Sequence, residues 1–128
     1  MNKRKRKKWL KKNGKYVSNR ELWNLDQTIC DWIIPRLKQF KEINIAYPGT
    51  ASMDTPEKWD EALDKMIRAF ELAKLDPIDL DENLQLRDYE LEGYLYDVNK
   101  YKGIYEKRNA EVQEGLHLFA TYFNDLWI

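Results

Sequence analysis

Three stretches of this chain space their apolar residues at a helical period, and the polar residues between them fall on the opposite side. The clearest is residues 55–72, TPEKWDEALDKMIRAFEL. Trp59, Leu63, Met66, Ile67, Phe70 and Ala73 fall within a stripe roughly 120° wide at about 100° per residue. Asp60, Asp64, Arg68 and Glu71 point away from it. Thr55 offers an N-cap hydroxyl, and Pro56 suits the first helical position, where its missing N–H costs nothing. Glu57, Asp60 and Glu61 place negative charge at the positive end of the helix dipole. A helix of this kind needs partner surfaces, and the other two periodic stretches supply them.

The first partner helix is predicted from Leu25 to Ile43, with Leu25, Ile29, Trp32, Ile33, Phe40 and Ile43 as its inner face. Ser18 to Glu21 reads as a capping box ahead of Leu22 and Trp23, and Asn24 with Gln27 reads as a second. Pro35 removes the amide that would bond to Asp31 and predicts a kink, because the apolar pattern resumes in phase after it. Arg36 projects into the middle of the stripe, and an unpaired buried guanidinium would cost several kcal/mol. It therefore needs an acid, the carbonyls that Pro35 frees, or a ligand. One reading is a structural arginine that bonds those carbonyls or snorkels to water. The other is an anion site in which Arg36 sits among Trp32, Trp59 and Phe40, with Tyr47 lining it.

The second partner helix is predicted over 101–127. Tyr101, Tyr105, Val112, Leu116, Phe119, Ala120, Phe123, Leu126 and Trp127 share one side of it. Gly103 and Gly115 weaken it, and Gly115, on the stripe edge, predicts a close helix crossing. The fold class expected is all-α: a small bundle of three long amphipathic helices with an irregular insertion and a basic N-terminal arm. Residues 1–17 form the arm and 18–128 a single helical domain, with the insertion at about 76–100. Pro48-Gly49 marks a tight turn between the first two long helices. In the insertion, DPIDLDENL reads as an acidic loop, since Asp79, Asp81 and Glu82 fail the EF-hand spacing. LRDYELEGYLYDV fits a hairpin or a helix, with a helix followed by a loop preferred.

Composition adds limits. The 128 residues, 43% apolar, suit one domain with a real core. No apolar run approaches about 18 residues, so no membrane span is expected, and the charged N-terminus lacks a secretory h-region. Cys30 is the only cysteine, which excludes an internal disulfide or a multi-cysteine zinc site and fits a reducing cytoplasm.

The net charge of zero conceals an asymmetry. Residues 1–20 carry ten Lys or Arg and no acid, while the other 108 carry twelve basic and twenty-two acidic side chains. Such dense like charge predicts a mobile arm or a frayed helix when no partner is present. Lys3, Arg4, Lys5, Arg6, Lys7, Lys8, Lys11 and Lys12 are candidate phosphate contacts, and Trp9 and Tyr16 could stack on bases. The competing reading is a solubilising tail, or a segment that folds onto the acidic body.

No catalytic residue, metal site or cofactor is predicted. His117 is the only histidine, and Glu114-x-x-His117 supplies one of the two such pairs that a di-iron bundle requires. Both point opposite Val112. Asp60, Glu61, Asp64, Glu111 and Glu114 faintly resemble the carboxylates with which all-helical nucleotide pyrophosphohydrolases hold magnesium, but they sit on outward faces. There is no serine elbow or phosphate-binding glycine loop, and no histidine is placed to activate Cys30.

Four blocks in order, WNLDQTICDWIIPRLKQFKEIN, AYPG, PEKWDEALDKMIRAFEL and EVQEGLHLFATYFNDLW, resemble a widespread set of small tailed-bacteriophage proteins. The resemblance covers about residues 23–75 and 110–127. It implies a phage protein in the host bacterial cytoplasm, accessory to replication or directed at the host, and it carries no catalytic residue. The leading expectation is a non-enzymatic binding protein that engages a host component, with counter-defence as its most concrete form. It would inhibit a host protein or sequester a small nucleotide ligand at Arg36, Trp32, Trp59 and Tyr47. Nucleic-acid binding through residues 1–15 is the alternative, and a magnesium-dependent nucleotide hydrolase is third. Five Trp and eight Tyr also suggest an exposed apolar patch and a homo-oligomer.

Overall fold

The central helix begins as its sequence requires. In the computed structural model, which describes residues 2–75, 80 and 98–128, the Thr55 hydroxyl accepts from the Lys58 amide at 3.2 Å and Pro56 takes the first helical position. In chain order the helices are α1 (Lys3–Lys12), α2 (Asn19–Trp23), α3 (Leu25–Ile43), α4 (Pro56–Ala73) and α5 (Val98–Thr121). A 3-10 turn follows at Phe123–Asp125. Among the described residues there is no strand.

α4 packs against both α3 and α5, more extensively against α5. It buries Trp59, Ala62, Leu63, Met66, Ile67, Ala69, Phe70 and Leu72, with Leu63, Met66 and Leu72 wholly enclosed. Each large side chain among them stabilises the fold by roughly 1.5–3 kcal/mol relative to exposure. α5 contributes Val112, with Tyr122 just beyond its end, and Leu116 and Phe119 pack beside them. Aromatic edges meet faces at Trp59–Tyr122, 5.7 Å between centroids, and at Phe70–Phe119, 5.2 Å. The loop after α3 turns at Gly49, whose φ of 77° a side chain would resist. It is tied to the far end of the chain by a Ser52 Oγ–Tyr122 OH bond of 2.8 Å.

The phase of α3 differs from the expectation. Its bounds are as predicted, but the buried residues are Cys30 and Leu37, with Ile33, Ile34 and Phe40 packed beside them. Leu25, Ile29, Trp32 and Ile43 are about half exposed. Apolar residues cover most of this helix's circumference, so periodicity alone admits two stripes. α4 takes the one without a charge.

α5 also ends earlier than expected. It stops at Thr121, and Tyr105, Phe123 and Trp127 lie largely in water rather than on the packed side. Asn124 and Asp125, weak helix formers, fall in the 3-10 turn that follows, and Leu126 beyond it folds back onto the core. Ser18 and Asn24 occupy the predicted N-cap positions, but neither side chain makes the capping bond. The readings of residues 76–79 and 81–97, including the acidic loop and the hairpin-or-helix segment, lie outside the described residues.

Candidate functional site

The basic arm is a helix closed at both ends by its own residues. At its start, Asn2 Oδ1 accepts from the Lys5 amide at 2.9 Å. At its end, Gly14 takes φ 65°, its amide donates to the Lys11 carbonyl at 3.2 Å, and the Lys15 amide donates to the Leu10 carbonyl at 2.8 Å. These paired bonds around a left-handed glycine are the Schellman stop. KKNGK carries this stop signal in the sequence, beside the like charge that predicts a mobile arm or a frayed helix.

The charge on α1 works against the helix. Eight of its ten residues are cationic, no acid lies in its first turn, and it buries nothing. Like charges four residues apart each destabilise it by a few tenths of a kcal/mol. Lys3 to Arg6 also crowd the positive end of the dipole, where an anion belongs. Partial relief comes from aromatic faces: Lys7 and Lys11 hold their Nζ atoms 5.4 and 5.0 Å from the Tyr16 ring centre, and Lys15 lies 5.7 Å from that of Trp9. None of these cations pairs with a carboxylate among the described residues. The arm therefore does not dock on the acidic body through ion pairs there.

The four residues of the candidate ligand pocket are not brought together. Trp59 is 2% exposed, its ring sealed against Tyr122. Arg36 is exposed, its Nη1 donating to the Trp32 carbonyl at 2.7 Å and its guanidinium lying 4.2 Å from the Trp32 ring centre. The carbonyl that Arg36 bonds is the one next to that of Asp31, which Pro35 leaves without its amide, and the guanidinium rests on its own helix. Tyr47 lines a separate cleft of about 90 Å³ with Asn44, Asp125 and Trp127.

The acidic residues do gather, but with cations among them. Glu61, Asp64, Glu111 and Glu114 line a groove of about 360 Å³ between α4 and α5 together with Lys65 and Arg68. Lys65 Nζ lies 2.9 Å from Glu114 and 3.7 Å from Glu61, and the Glu114 hydrogen bond holds its pKa above the ordinary lysine value. Asp64 is paired with Lys41 at 2.7 Å. Among the described residues no three His, Cys, Asp or Glu side chains are placed to hold a metal ion. His117 and Glu114 face water, as their positions predicted.

Two features went unread in the sequence. Arg108 reaches across from α5 to the last turn of α4, donating from Nε to the Leu72 carbonyl and from Nη2 to the Ala73 carbonyl, both at 3.1 Å. The second is the outer row on α3, continued by Trp23, 84% exposed, and Ile45, 94% exposed. No described helix is long and apolar enough to cross a membrane. Comparison with protein-family models, curated proteins and solved structures gives no match to this chain.

Proposed function

We propose that this chain is a non-enzymatic accessory protein that binds nucleic acid in the host bacterial cytoplasm. α1 lies along the phosphate backbone, and a three-helix bundle of α3, α4 and α5 carries it. This is the alternative that the sequence offers to engagement of a host protein or a nucleotide signal, and the setting rests on the resemblance to small phage proteins. The observation that carries the reading is α1 itself, a helix with eight cations, capped at both ends and without a described carboxylate partner. A polyanion removes the repulsion that weakens it, and release of condensed counterions drives the association. Trp9 and Tyr16 add flat apolar surface beside the cations.

Trp59 inside the core leaves Arg36 without the aromatic pocket that nucleotide sequestration requires. Lys65, between Glu61 and Glu114, holds the ground a magnesium ion would need.

The test is a salt titration of binding to duplex and single-stranded DNA, with the full chain and a variant lacking residues 2–15. Four to six phosphate contacts predict an affinity that falls as about the fourth to fifth power of salt concentration on duplex. The shortened variant, which loses no buried residue, should fold and not bind. Affinity unchanged by that deletion refutes the proposal.

A further inference from the structure

α3 carries two apolar faces, and the fold uses one. Cys30, Ile33, Ile34, Leu37 and Phe40 meet α4. Leu25, Ile29, Trp32 and Ile43 form a second row on the outer side at helical spacing, with Arg36 at its centre. Scattered exposed apolar residues are ordinary. A row is different, and this one, broken only by Arg36 and Gln39, follows a helix about 28 Å long, with the exposed Trp23 and Ile45 two residues beyond its outermost members. A row of this length, with a tryptophan and an arginine at its middle, has the composition of an interface core.

We propose that two copies of this chain associate through this outer face of α3, with the helices antiparallel about a two-fold axis beside residues 32–36. The row itself argues for a second copy. A two-fold interface must be complementary to itself, each position i meeting a position j that meets i in return. Reflection about residue 34 sets Trp23 opposite Ile45, Leu25 opposite Ile43, and Trp32 opposite Arg36. Ile29 then meets Gln39, beside Thr28 on the polar edge. Asp26 and Glu42, which share a level in this register, lie on opposite flanks of the row and stay apart.

The central pair is already half built. The Arg36 guanidinium lies over its own Trp32 ring, 4.2 Å from the ring centre, with no described carboxylate partner. In the dimer its outer face meets the partner's Trp32, so the two cations and two rings alternate across the axis. The area suffices as well. At their observed exposures, Trp23, Leu25, Ile29, Trp32, Ile43 and Ile45 present on the order of 800 Å² per copy, the share each partner gives to a standard interface.

The test is sedimentation equilibrium of the full chain in high salt, where no nucleic acid can bridge copies through α1. The result is thus independent of the nucleic-acid reading. A dimer is expected. Trp32→Glu, at a position 57% exposed, should raise its dissociation constant at least about tenfold with an unchanged helical circular-dichroism spectrum.

Orientation is read by a short thiol cross-linker, with Cys30 buried and silent. A mixture of the Leu25→Cys and Ile43→Cys proteins should link across the two, while neither should link to itself. A chain that stays monomeric up to about 100 µM overturns the proposal, even if the face then captures another protein. So does a dimer indifferent to Trp32→Glu, or Leu25→Cys linking to itself.

Discussion

Gly115 on α5 faces Ala69 on α4 so closely that a methyl group added at Gly115 would overlap both the Ala69 Cβ and the Lys65 carbonyl oxygen. The two backbones approach here because neither residue holds them apart, and the aromatic pairs pack around this contact. Gly115→Ala gains the roughly 1 kcal/mol by which alanine favours a helix, but it must spread two helices whose backbone cannot yield. Overpacking of this kind costs about 1–3 kcal/mol. A net loss is expected in urea unfolding. Gly103→Ala on the same helix, where nothing lies within 4 Å, should give a gain of up to about 1 kcal/mol. Equal signs for the two substitutions would contradict the close crossing.

Arg108 gives the Ala73 carbonyl a donor and adds a second to the Leu72 carbonyl, which also accepts from the Leu75 amide at 3.0 Å, and its charge sits at the negative end of that helix. Arg108→Ala should destabilise the fold by about 2 kcal/mol. Arg108→Lys should recover only part of this, because an ammonium cannot span both oxygens as the planar fork does. Full rescue by lysine, read in the same unfolding curves, would reduce the contact to charge alone.

Burial pushes the Cys30 thiol above its ordinary value, aided by the nearby Asp26 carboxylate. A folded pKa raised above the unfolded one contributes stability that is complete below the unfolded thiol value and is lost as pH rises through the folded value. Lys41, Lys65 and Lys74, raised by hydrogen bonds to Asp64, Glu114 and Asp31, act in the same direction at higher pH. Asp54 has the opposite sign. Its bond to Lys58 lowers its pKa, so that contribution is present above the ordinary aspartate value and is lost as pH falls through the folded one. Urea midpoints should stay level around neutrality and fall at both ends. A thiolate-selective reagent should label Cys30 at the rate of unfolding, and rapid labelling of the native protein at mildly alkaline pH would contradict its burial.

Gly14 ends α1 in a left-handed conformation that costs other residues about 1–2 kcal/mol. Gly14→Ala should fray the last turn of the arm and lower total helicity. The thermal transition of the body should not move, because α1 buries nothing. Circular dichroism at low temperature reads the first effect and a full melt the second.

α4 was legible in detail because every signal agreed: cap, proline, dipole charge and a stripe with polar residues opposite. The crossing at Gly115 was legible for the same reason, a small residue at the edge of a large apolar stripe. The bounds of α3 could be read, but its face could not, since apolar side chains occupy most of its circumference. The charge was the clue. Arg36 lay in the middle of the row chosen as inner, and a stripe that contains an unpaired guanidinium is the one that faces water. Trp59 followed its helix into the core, so no pocket with Arg36 could form. In the arm, repulsion among the lysines argues against a helix while Asn2 and Gly14 argue for its two ends, so the local signals there disagree.

The two seams of α4 are held by different means. Toward α5 there is broad contact, a glycine crossing, the Arg108 fork and a single solvent-reached pair, Lys65–Glu114. Toward α3 the contact is narrower and is laced at its margin by the pairs Lys38–Glu71, Lys41–Asp64 and Lys74–Asp31, all reached by solvent. Salt weakens such pairs and leaves apolar burial intact. α3 is therefore the leaf that lifts first, and added salt should hasten amide exchange along it while α4 and α5 keep their protons.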